Sequence, residues 1–201
     1  RYRFHCSGLC KIIMPLGEFV GKGLETIIEQ QKTTILKKWF DAAIQAYAPD
    51  TAKFLKNQKD PFGNPVGNNL LKGLRGLLDQ LLGELDPRSV ETDLDPIIRI
   101  RAVQAFTPSQ ATAFIFSLKK VLRDTLGQKR YDDQIMKELL AFELKIDQLC
   151  LMAFDIYMAC KEKIYEIGAN ETRNRTFRAF ERAGLIVEDT EDRPKKKKTL
   201  N

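Results

Sequence analysis

The sequence predicts an all-α fold: a single helical bundle with a long C-terminal helix of coiled-coil character. Three observations predict it. Apolar residues adopt helical spacing at Leu24 and keep it along the chain. Thr107-Pro108-Ser109-Gln110 spells a helix start, and residues 132–168 carry a near-strict 3.5-residue apolar repeat.

The first helix runs from Leu24 to near Pro49, its apolar stripe made by Leu24, Ile27, Ile28, Ile35, Leu36, Trp39, Phe40, Ala43, Ile44 and Tyr47. A short helix at 50–57 follows, then "KDPFGNPVGNN", whose prolines, glycines and asparagines make a structured turn. The next helix spans about 68–82 with a broad leucine face. Gly73 and Gly76 inside it each cost up to ~1 kcal/mol of helix propensity, so they mark the close approach of another helix.

A fourth helix covers about 89–105. Thr107 then caps a fifth, with Pro108 at its first position and Gln110 placed to close a capping box. That helix buries Ala111, Phe114, Ile115, Leu118, Val121 and Leu122.

From residue 132 to about Gly168, the row Ile135, Leu139, Phe142, Ile146, Leu149, Ala153, Ile156, Cys160, Ile164 and Ile167 is nearly heptad-spaced. A second row, Leu144, Leu151, Phe154 and Met158, predicts cover on two sides. Part of this helix is expected to sit in the domain and part to meet another chain, with Leu149, Ala153, Ile156, Cys160 and Ile164 as the dimer residues; the alternative is a helix bent or broken within one monomer. A separate last helix, about 171–183, stops at Gly184.

Residues 1–20 are expected to be a disordered or non-native leader, 21–185 the domain, and 186–201 a charged mobile tail. Apolar runs are too short for a membrane span, so a cytoplasmic chain without membrane insertion is expected. The formal charge is +6, of which residues 1–13 carry three and residues 188–201 one, leaving a nearly neutral body. No nucleic-acid partner is expected on that balance; Lys119, Lys120, Arg123 and the tail would have to share one face to bind one.

Catalytic sets are absent. The one histidine, His5, lies in the leader, and no Gly-rich phosphate loop or nucleophile elbow occurs. His5, Cys6 and Cys10 lack a second ligand pair, so no metal and no cofactor are expected, haem included. Cys150 and Cys160 lie ten residues apart on a helix, ~15 Å, too far for a mutual disulfide.

Residues 31–123, with further likeness to about 180, resemble a known family. "DPFGNPVGNNLLKGL", then "LDPIIRIRAVQAFTPSQATAFIFSLKKVLRD" and "LMAFDIYMACKEKIYEI", are similar in order to the RsbRD-type N-terminal domain of RsbT co-antagonist proteins of bacterial stress signalling. The resemblance implies a helical, non-haem sensor domain of globin-like form that forms homodimers and acts through a regulatory protein partner. In that family a STAS domain usually follows; no alternating strand and helix pattern follows residue 185, so a stand-alone, non-catalytic adaptor is expected. The matching motif positions are Asn64, Pro65, Arg99, Arg101, Gln104, Pro108, Ser109 and Gln110, while Asn68 or Asn69 stands where relatives often carry histidine. Two roles are open for Arg99, Arg101 and Gln104: lining a pocket for a small anion or metabolite with Asn64 at its rim, or bonding the exposed carbonyls of a neighbouring turn.

Overall fold

Residues 22–58, 60–104, 106–127 and 132–185 are described by the structure, a computed structural model. Among them are six helices and no strand: α1 (Lys22–Ile44), α2 (Pro49–Asn57), α3 (Pro65–Leu82), α4 (Pro87–Val103), α5 (Pro108–Leu126) and α6 (Asp133–Arg182). The expected leader and tail, with His5, Cys6 and Cys10, lie outside the described residues.

Four helix starts share one device. Proline opens α2, α3, α4 and α5, where its missing N–H costs nothing and its fixed φ suits the first turn. Ahead of it, Asn64 accepts from the Gly67 N–H at 2.9 Å and Asp86 from the Ser89 N–H at 3.0 Å. Thr107 and Gln110 form the full capping box, with bonds of 3.3 and 3.0 Å. The pairs Asn64-Pro65 and Asp86-Pro87 therefore start α3 and α4 ahead of the expected residues 68 and 89.

Packing follows the apolar stripes. Trp39 of α1 is fully buried and its indole N–H donates to the Phe114 carbonyl of α5 at 2.7 Å. Between α3 and α4 the two glycines act as expected. A Cβ on Gly73 would lie 2.7 Å from the Asp93 carbonyl oxygen, and one on Gly76 would lie 2.2 Å from the Asp93 carboxylate.

The two helices expected at the C-terminal end are one: α6 continues through Gly168, Ala169 and Asn170 to Arg182. None of these residues removes an N–H from the ladder, Gly168 does not adopt positive φ, and Thr172 bonds back to the Gly168 carbonyl at 2.9 Å. Gly184, at φ 66°, does end the helix; its N–H reaches the Glu181 carbonyl and the Leu185 N–H reaches that of Phe180.

The chain divides into two units, the first ending at Lys161 and the second beginning at Glu162. The first contains the core, to which α6 contributes Leu139, Phe142, Ile146, Leu149, Ala153 and Tyr157. In the second, every described residue from 162 to 185 is exposed.

Candidate functional site

Arg101 is a guanidinium with 0% exposure that makes no ion pair among the described residues. The last turn of α4 aims it across the end of α1 and the first turn of α5. One Nη donates to the Ala43 carbonyl at 2.9 Å, and the other to the carbonyls of Gln110 and Ala111 at 3.3 and 3.2 Å. Ala43 lies in the last turn of α1, where the negative end of the helix dipole favours a cation.

Aromatic faces complete the setting: the guanidinium carbon lies 4.4 Å from the Phe114 ring centroid, 5.5 Å from Phe106 and 5.6 Å from Tyr47. Burial pulls its pKa down, and the Tyr47 hydroxyl partly offsets that. Nε is buried with no hydrogen-bond partner. The forward donors are thus spent on backbone carbonyls, and the residue ties three helices together.

The other expected ligand residues do not join it. Arg99 is exposed and makes a two-pronged pair with Asp95 on its own helix, at 2.9 and 2.6 Å. Gln104 ends α4 as an exposed residue whose backbone N–H bonds the Ile100 carbonyl. Asn64 is buried elsewhere: its amide donates to the carbonyls of Leu55 and Gln58, both at 2.9 Å, while its oxygen caps α3. Arg101 has the geometry of the second role, bonding backbone carbonyls in the last turn of α1 and the first turn of α5.

A second set of buried polar groups, on α6, carries no mark in the apolar repeat. Glu138 accepts the Leu24 N–H at 2.9 Å in the first turn of α1, where the dipole favours an anion. Lys145 does the converse at the end of α3, donating to the carbonyls of Leu81 and Gly83 at 3.4 and 2.7 Å, and burial lowers its pKa. The buried Tyr157 hydroxyl donates to the Phe106 carbonyl. The available signal was the seven-residue spacing of Glu138 and Lys145 beside the core row.

Two cations considered for nucleic acid are already paired with α6. Lys119 meets Asp147 at 2.6 Å, and Arg123 forms a two-pronged pair with Glu143 at 2.7 Å. Among the described residues no cluster of three metal-ligating side chains occurs, and no helix is long and apolar enough to cross a membrane. Cys150 and Cys160 are buried free thiols whose pKa values burial pushes up.

The five expected dimer residues are divided. Leu149 and Ala153 have 0% exposure, Cys160 is buried, Ile156 is partly buried against the same core, and Ile164 is exposed in the second unit. In the first unit, the exposed apolar row of α6 is instead Leu140, Leu144, Leu151, Phe154 and Met158, each 39–58% exposed.

Fold and site together define an all-α bundle whose buried polar groups fasten helix ends. Residues 33–172 match the family model of the RsbT co-antagonist protein rsbRD N-terminal domain, and the chain belongs to that family. It is therefore a signalling or sensor domain of the stressosome type, in a regulatory family. Over 98 residues it is 31% identical to an uncharacterized protein of Archaeoglobus fulgidus, a stretch covering 47% of this chain and 61% of that protein. The chain thus spans about three fifths of the length of that relative. No solved structure matches it.

Proposed function

We propose that this chain is a non-catalytic signalling adaptor of the cytoplasm that works as a homodimer and passes its signal through protein contacts. The observation that carries the reading is the exposed row of α6: Leu144, Leu151, Phe154 and Met158 stand at seven-, three- and four-residue spacings while the opposite row fills the core. A helix with apolar rows on both faces is built to be covered on both. Each copy brings the same row, so a two-fold contact is self-complementary. The pairing of Lys119 and Arg123 with α6 supports a protein partner over nucleic acid.

Light scattering of the full chain at micromolar concentration tests it. The expected mass is twice the chain mass of 23.0 kDa. A single-chain mass throughout that range removes the dimer.

A further inference from the structure

A cleft of about 450 Å³ lies between α1, α2 and α3, within the size range of small-molecule sites. We propose that it binds a compact amphipathic carboxylate, its head held by Lys37 and Arg75 and its apolar body by Leu36, Phe40, Leu55 and Leu71. This deepens the sensor reading by naming the ligand class, and rests on it.

The geometry begins with the ion pair of Lys32 and Asp79, 2.7 Å apart, which sets α1 beside α3. From there the cleft is lined by Thr33, Lys37, Phe40 and Asp41 going forward on α1, and by Arg75, Leu71 and Asn68 going back on α3, so the helices run antiparallel. Lys37 is five residues beyond Lys32 and Arg75 four before Asp79, advances of ~7.5 and ~6 Å. The two cations therefore stand at one level, at the same end of the cleft.

Charge distinguishes that end. Asp41, the one acidic lining residue, is paired with Lys56 at 2.8 Å, while neither Lys37 nor Arg75 makes an ion pair among the described residues. Two positive charges are left facing the cleft. At the far end, Asn64 caps α3 and Gly67 lies in its first turn, where the helix dipole adds positive potential. Asn64 has spent its side-chain donors and is wall there.

The floor between is apolar, and Leu71 is 38% exposed in it. An arginine and a lysine side by side suit a carboxylate, the guanidinium by a two-pronged bond and the ammonium as a point charge. An aryl or alkyl body then covers Leu71 and Phe40. A bare anion would leave that floor wet, and a neutral apolar molecule would leave both cations without a partner.

The full chain is titrated by calorimetry and amide NMR with 2-naphthoate and octanoate, against 2-naphthamide and inorganic phosphate. Both carboxylates are expected to bind with Kd below about 1 mM, shifting the amides of Thr33, Lys37, Asn68, Leu71 and Arg75. The amide, the phosphate and a Lys37→Ala/Arg75→Ala chain are each expected to lose about tenfold or more in affinity. Both replaced residues are exposed, so the fold is kept. No binding of either carboxylate, equal binding of 2-naphthamide, an unaffected double variant, or shifts elsewhere overturns the site. Light scattering keeps the two proposals apart: a single-chain mass with naphthoate bound removes the dimer and supports the cleft.

Discussion

At the scale of the residue, Arg101 shows how a charge is kept in a helical core without a carboxylate. Three helix-end carbonyls and three aromatic rings replace its water. Arg101→Ala should cost about 3 kcal/mol or more, because it strips the Ala43 carbonyl of its cation and leaves a cavity. Arg101→Met, which refills the volume, should recover part of that loss; urea denaturation of both gives the comparison. Asp93 gives the pH prediction. Burial raises its pKa, with Asp79 adding and Lys72 opposing, so the folded state holds its proton to higher pH than the unfolded chain. Between the unfolded value near 3.8 and the raised folded value, stability therefore falls as pH rises. Asp93→Asn should flatten that part of a stability against pH curve and leave the neutral protein at least as stable.

At the scale of the element, two glycines in helices have opposite meanings. Gly73→Ala gains helix propensity but drives its Cβ to 2.7 Å from both the Asp93 carbonyl oxygen and Ile97 Cδ1, and backbone cannot give way cheaply. A net loss of about 1–3 kcal/mol is expected by urea denaturation. At Gly168 a Cβ meets nothing within 4 Å, so Gly168→Ala should slow amide exchange around it, worth about 0.5–1 kcal/mol locally. This contrast was half legible. The Gly73 and Gly76 pair, spaced within a leucine face, announces close packing, whereas Gly168 before Asn170 reads as a break that nothing in the ladder enforces. The helix starts were legible in principle throughout, since Asn64-Pro65 and Asp86-Pro87 repeat the chemistry of Thr107-Pro108. Long-range clasps were not: nothing near Glu138 or Arg101 in sequence says that the N–H of Leu24 or the carbonyl of Ala43 will arrive there.

At the scale of the whole molecule, the sequence shows two apolar rows on α6 but not which one the bundle takes. Both rows have helical spacing and similar hydrophobicity, and the choice is made by α1, α3 and α5, whose contacts are distant in sequence. The bundle takes Leu149 and Ala153, with Glu138, Glu143 and Lys145 tied to helix ends and to Arg123, and leaves Leu151, Phe154 and Met158 outside. The proposed cleft is lined by Asn64, Gly67, Asn68 and Leu71 of the family string itself, whereas Arg99, Arg101 and Gln104 lie outside it. The central claim is that the outer row is spare for folding and spent on a second copy. Sedimentation equilibrium of Leu151→Glu/Phe154→Glu beside the parent chain, with helicity followed by circular dichroism, tests it most directly. A parent dimer that becomes a folded monomer, its helicity unchanged, is the predicted result; a variant that stays dimeric, or one that loses its helices, would contradict it.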